Sequence, residues 1–142
     1  MPEWAALVPE LLVADLARSV DFYRHVFGAQ VRFQRSGPAF AYLDVGQAQI
    51  MLEEDHDGAW ITPPAEYPRG RGINFQIEVS SVAELVAAAD RLTVPLFRPV
   101  AERWYATDGE IEEGQLEVLV LDPDGYLLRA IEPLGSRERR LG

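Results

Sequence analysis

The sequence predicts an α+β fold in which one β-α-β-β-β pattern is used twice, and three observations carry that reading. Apolar runs of strand length and amphipathic helix stripes follow one another in the same order in both halves. Sliding the first half by 66 residues lays Val13 on Val79, Ala17 on Ala83 and Val20 on Val86, and it keeps apolar character where Leu11 meets Ile77 and Leu16 meets Val82. Asp15 and Ser81 stand at matched places before the two helix stripes, and each is a residue type that caps a helix start.

In the first half, Ala5 to Ala14 is an apolar stretch with β-character. Asp15 then opens a helix whose buried stripe is Leu16, Val20, Tyr23 and Phe27, and Gly28 stops it. Strand-like runs follow at Gln30–Arg35, Phe40–Val45 and Gln47–Glu54, separated by Ser36-Gly37-Pro38 and by Gly46. From Asp55 to Gly72 no period fits a segment holding Pro63-Pro64 and Arg69-Gly70-Arg71-Gly72. A connection of this length is a candidate for function as well as a linker.

The second half repeats the order. Ile73–Val79 reads as a strand, and Ser81 with Glu84 makes a capping box for a helix striped by Val82, Leu85, Val86, Ala89 and Leu92. Leu96–Tyr105 is a strand in which Pro99 fits only an edge or a bulge. The last two strands meet at Asp122-Pro123-Asp124-Gly125, a turn in which Pro123 fixes φ, Asp122 bonds back and Gly125 supplies positive φ. Before it Leu116, Val118 and Val120 share one face and Glu117, Leu119 and Leu121 the other, an apolar run that implies burial on both. After it Leu127, Arg129 and Ile131 oppose Tyr126, Leu128 and Ala130. Module 1 is therefore assigned to about 5–54, the linker to 55–72, module 2 to about 73–133, and a frayed basic tail, with Ser136-Arg137-Glu138-Arg139-Arg140, to 134–142.

Composition removes several classes. With no cysteine there is no disulfide framework, thiolate metal site or cysteine nucleophile. No apolar run approaches the roughly 18 residues of a membrane span, and Met-Pro-Glu-Trp does not begin a signal peptide, so a soluble, cytoplasmic chain is expected. A net charge of −10 argues against nucleic acid and anionic membranes as partners, and it favours cationic ones.

The run Val8-Pro9-Glu10-Leu11-Leu12-Val13-Ala14-Asp15-Leu16-Ala17-Arg18-Ser19-Val20-Asp21-Phe22-Tyr23, followed by Phe27-Gly28 and at the far end by Asp122-Pro123-Asp124-Gly125-Tyr126-Leu127-Leu128-Arg129, resembles the vicinal oxygen chelate superfamily. Within it, the chain is most similar to the metal-free bleomycin-resistance group of the glyoxalase and bleomycin-resistance proteins. The resemblance implies two βαβββ modules whose curled mixed sheets form a shared cleft, commonly completed by homodimerisation. It also implies a divalent metal held, in the superfamily's enzymes, by a His or Glu on the first and last strand of each module. Those positions fall on Val8 and Asn74, on Arg129, and on Ile50 or, with the register slipped by two, Leu52. None is a strong donor, and His25 and His56 read as ordinary solvated histidines, so neither metal nor cofactor is expected.

If Val8 and Asn74 point into the cleft, period two adds Glu10 and Leu12 beside the first and Gln76 and Glu78 beside the second, with Leu11, Val13, Phe75, Ile77 and Val79 beneath the helices. Arg129 would face the same space and need a carboxylate, for which Glu10 and Glu78 are the candidates. Phe40, Tyr42, Trp60, Trp104 and Tyr105 offer flat faces for planar or cationic ligands, and Ala106–Glu113 is an acidic loop beside Trp104. Two functions follow. One is a homodimeric protein that sequesters a small cationic or planar aromatic antibiotic of the bleomycin type. The other is an enzyme, either a metal-free lyase or isomerase with Glu10 or Glu78 as base, or a metal enzyme with an atypical site.

Overall fold

A computed structural model describes residues 3–139. The elements are β1 (Glu10–Val13), α1 (Leu16–Phe27), β2 (Gln30–Arg35), β3 (Phe40–Val45), β4 (Ala48–Glu54), β5 (Asn74–Glu78), α2 (Val82–Arg91), β6 (Leu96–Ala106), β7 (Ile111–Leu121) and β8 (Leu127–Glu138). They fall into two compact units, one built from residues up to 73 with 122–126, the other from 74–121 with residues from 127 onward.

In the first unit the sheet order is β1-β4-β3-β2, with β1 parallel to β4 and the other pairs antiparallel. Period two sends Leu11, Val13, Ala41, Leu43, Val45, Ile50 and Leu52 to one face, where all are buried and α1 packs through Leu16, Val20, Tyr23 and Phe27. Both helix ends follow from local chemistry. The Asp15 side chain accepts from Arg18 N at 3.1 Å, and Gly28 takes φ 71 while its N–H reaches Tyr23 O. The first strand is shorter than the apolar stretch predicts, because residues 3–9 are not paired as β1 and most are exposed.

The Asp-Pro-Asp-Gly turn does more than reverse the chain. Its carboxylates lie inside the first unit, each 3% exposed. Asp122 accepts from Tyr23 Oη at 2.7 Å and from the backbone N–H groups of Asp124 and Tyr126 at 2.9 Å. Asp124 accepts from Ala14 N at 3.0 Å and Ser19 Oγ at 3.3 Å, with Arg18 and Arg69 at 3.6 and 3.7 Å. The 55–72 segment is tied to the same place, since Arg69 donates to both Asp55 oxygens at 2.7 and 2.9 Å and to Leu12 O at 3.2 Å. Gly125 has φ 86, and a Cβ there would stand 2.5 Å from Pro68 Cα. Strain and a backbone collision combine, so Gly125→Ala should cost about 2–3 kcal/mol in urea unfolding. A change under about 0.5 kcal/mol would show that this segment yields freely.

The second unit repeats the plan with sheet order β5-β8-β7-β6 and β5 parallel to β8. The two helices begin 66 residues apart, at Leu16 and Val82, as the offset predicts. Ser81 accepts from Glu84 N at 3.1 Å, and α2 buries Val82, Leu85, Ala88 and Ala89. Leu92, expected on that stripe, follows the helix and is exposed because the helix ends at Arg91. β6 is the edge strand, and Pro99 sits where its register shifts between Arg98 and Ala101.

Two expectations are corrected here. Ile111, Glu112 and Glu113 belong to β7, so the acidic loop shrinks to residues 107–110, closed by Asp108 accepting from Glu110 N and Ile111 N. Ser136, Arg137 and Glu138 lie in β8, paired with Glu113, Glu112 and Ile111, so those tail residues are sheet. Arg140 lies outside the described residues. Among the described residues no helix is long and apolar enough to cross a membrane.

Candidate functional site

Each sheet has a far face, turned away from its helix, and the side chains with chemistry gather there. In the first unit the strand registers place Glu10, Leu12, Gln49, Met51, Glu53, Phe40, Tyr42 and Asp44 on it. A bulge in β2 sets Val31 against Leu43 and Phe33 against Tyr42, so the extra residue, Arg32, reaches Asp44 from the same face as Phe33. Phe33 stacks on Phe40 at 5.8 Å and on Tyr42 at 5.4 Å, and Arg35 lies 4.1 Å over Phe40. Phe40 and Tyr42, expected to line a ligand, are 2% and 5% exposed. Their rings are already covered, and the exposed ring beside them is Trp4, at 61%.

At the other end of this face two carboxylates are neighbours, Glu10 level with Met51 and Glu53 level with Leu12. Partial burial and then the charge of Glu53 raise the Glu10 carboxyl above its ordinary range, against the pull of Arg35 and His56. His56 corrects its reading as an ordinary solvated side chain. Its Nδ1 accepts from Gly58 N at 3.1 Å, and its buried Nε2 lies 3.2 Å from Glu53 Oε2 without making a hydrogen bond. His25 is exposed on α1.

In the second unit Asn74, Gln76, Glu78, Arg129, Glu117, Gln115 and Tyr105 share the far face. The centre is Glu117, which sequence reading placed in an apolar run and did not single out. It is 8% exposed, and it accepts from Tyr105 Oη at 3.0 Å on both oxygens and from Gln115 Nε2 at 2.8 Å, with Arg103 at 3.7 Å and Arg129 at 3.9 Å. Glu117 is therefore the carboxylate nearest Arg129, in place of the expected Glu10 or Glu78, because β7 runs directly beside β8. The Tyr105 hydroxyl is pushed up by burial and by its bond to Glu117. Arg129 Nε is buried and makes no hydrogen bond.

Trp104 does not join Tyr105. Successive residues of β6 point to opposite faces, and Trp104 packs on Gly114, where a Cβ would meet its ring at 2.5 Å. Arg137 covers it at 3.8 Å and the Trp104 Nε1 donates to Glu102 at 2.9 Å, so the chain's own cation occupies the flat face expected to meet a ligand. Trp60 is 92% exposed in the 55–72 segment and does not stack on the far-face aromatics.

The register corrects the expected metal position in module 1. Ile50 and Leu52 face α1 and are buried at 4% and 0%, so the far-face residue of β4 that matches Arg129 is Met51, level with Glu10 as Arg129 is with Gln76. Gln49, level with Val8 when that register is extended, is engaged by Tyr42, Ala5 and Glu3. An aliphatic Val8, a thioether Met51, an amide Asn74 and a cationic Arg129 do not fit a divalent metal of the Zn, Fe, Ni or Mn kind. Among the described residues no group of three or more His, Asp or Glu is placed to hold one.

A chain that repeats a βαβββ unit, each with a four-stranded mixed sheet and one helix, is an α+β protein of two-module type. The model of the Glyoxalase/Bleomycin resistance protein/Dioxygenase superfamily matches residues 5–130, and the chain belongs to that superfamily. No curated protein matches its sequence. Solved structures share its fold. TioX from Micromonospora sp. ML1 is 21% identical, covering 92% of this chain and 100% of its own, with a TM-score of 0.69. Virulence protein STM3117 from Salmonella typhimurium is 20% identical, covering 93% and 98%, at 0.64. A variant of the fosfomycin resistance protein FosX from Listeria monocytogenes, solved with Mn(II) and 1S,2S-dihydroxypropylphosphonic acid, is 23% identical, covering 90% of each, at 0.56.

Proposed function

We propose that this chain is a small-molecule-binding member of its superfamily that works without a metal, sequestering an antibiotic of the bleomycin type rather than converting it. The observation that carries this reading is the donor set: the superfamily's ligand positions hold Val8, Met51, Asn74 and Arg129. The far face of the first unit supplies what a cationic, flat ligand needs. Glu10 and Glu53 lie side by side, so a ligand cation would offset the burial and the Glu53 charge that raise the Glu10 carboxyl, and the Phe33 group lies beside them. Glu117 does not serve that purpose, because Tyr105, Gln115, Arg103 and Arg129 already surround it. Calorimetric titration of bleomycin is the test. Saturable heat at tens of micromolar ligand is expected, and none at that concentration removes this ligand class.

The same reading includes a homodimer. Leu96, Phe97 and Val100 on the edge strand β6 are 36%, 52% and 43% exposed, an apolar edge that a second copy would cover. A dimer mass by light scattering at micromolar concentration is expected, and a monomer mass retires this part. One observation favours an enzyme instead: the raised Glu10 carboxyl, with Glu53 and His56 beside it, is suited to take a proton in a metal-free lyase or isomerase. Turnover lost in Glu10→Gln, with binding kept, would select that reading.

A further inference from the structure

The far face of the first unit contains a slot for a flat ring, and the chain's own Trp4 fills it. The Arg32 guanidinium lies 4.4 Å from the Trp4 ring centre and 5.2 Å from that of Tyr42, so it is layered against both. Trp4 meets Tyr42 edge-on at 5.1 Å and Phe33 at 6.1 Å. Asp44 takes Arg32 Nε at 2.9 Å and Nη2 at 2.6 Å, which fixes the guanidinium plane and balances its charge. What remains is a preset stacking surface open to neutral and cationic rings.

The backbone around Trp4 is fastened by side chains. Gln49 accepts from Ala5 N at 2.9 Å and donates to Glu3 O at 2.6 Å, its own position is held by the Tyr42 hydroxyl, and Arg32 Nη2 reaches Glu3 O at 3.5 Å. Little apolar burial backs these bonds. Residues 3–7 are all exposed, with Trp4 at 61% and Leu7 at 82%, and a pocket of about 620 Å³ lies against the segment, bounded by Trp4, Asp44, Gln47 and Gln49. A segment held by a few solvent-exposed hydrogen bonds and one ring opens at low free energy.

We infer that residues 3–5 are a displaceable strap, and that a planar aromatic group of the ligand enters the slot of Arg32, Tyr42 and Phe33 in place of Trp4. The inference rests on the reading that this face takes the ligand, and it explains why Tyr42 is buried here. Because the strap competes with the ligand, loosening it raises affinity. If the slot is vacant about a tenth of the time, its permanent opening tightens binding about tenfold.

Quinoline and N-methylquinolinium, flat rings without any antibiotic's other groups, are the probes. In a Trp60→Phe/Trp104→Phe chain labelled with 5-fluorotryptophan, Trp4 gives the one fluorine resonance. Saturable movement of that resonance with either probe is expected, as is about tenfold tighter probe binding in Trp4→Ala and in Gln49→Ala, which releases the strap and keeps the indole. Trp4 is mostly exposed, so Trp4→Ala should melt close to the parent, and Gln49→Ala decides alone if it does not fold. A fixed Trp4 resonance at saturation, or affinity unchanged or weaker in the variants, overturns the strap. Probe binding with displaced Trp4 but no heat from bleomycin would keep the slot and retire the sequestration reading.

Discussion

Asp122→Ala should lose about 3 kcal/mol of stability, measured by urea unfolding, a large loss for a polar side chain. The side chain accepts three hydrogen bonds inside the first unit, and the Tyr23 hydroxyl it holds at 2.7 Å belongs to a residue that is 0% exposed. Its removal strands that hydroxyl and two turn N–H groups away from water, and each unsatisfied group carries its own desolvation cost. Tyr23→Phe removes the donor instead and should cost about 1 kcal/mol. The pH dependence has a definite sign. Burial raises the Asp122 carboxyl above 3.8, against the bonds from Tyr23 and the turn, so its protonated form is favoured by folding. The proton-linked part of its contribution is complete below 3.8 and is lost as pH rises through the folded value, while the hydrogen bonds it accepts remain. Asp122→Asn should flatten that part of the profile. Asp55 runs the other way, since its bond to Arg69 lowers it below 3.8, but it is too exposed to contribute more than a few tenths of a kcal/mol.

Bleomycin affinity should fall about a hundredfold in Glu10→Gln/Glu53→Gln, at about tenfold for each carboxylate charge removed. Glutamine keeps the volume and the hydrogen bonding while removing the charge, so the change isolates electrostatics. Neither side chain is a member of the α1-facing core, and folding should survive. Trp104→Ala should leave affinity unchanged, because Trp104 lies on the opposite face of β6 from Tyr105, under Arg137. An unchanged affinity in the double variant, or a loss in Trp104→Ala, would move the site elsewhere.

The helices and the module order are legible in the sequence because their signals are local. Asp15 and Gly28 bound α1, Ser81 starts α2, and apolar stripes lie between. The roles of Asp122 and Asp124 are not legible, since their partners Tyr23, Ser19 and Ala14 stand 99, 105 and 110 residues away. Glu117 is hidden by its apolar neighbours, although a charge inside such a run is itself a signal of a buried network. Period two already separates Trp104 from Tyr105, and it also aligns Glu53 with Met51 on the face of Glu10. Trp4 and Arg32 leave no pattern, because one precedes the first strand and the other is turned by a bulge that composition does not announce.

Binding should proceed without a metal at the superfamily position, and bleomycin calorimetry on the purified chain before and after EDTA dialysis, paired with elemental analysis, decides this. Equal affinity is expected in both preparations, with Zn, Fe, Ni and Mn far below one per chain, because Val8, Met51, Asn74 and Arg129 include no strong donor for these metals. Near-stoichiometric metal that survives mild chelation, or binding that appears only when metal is restored, would contradict it.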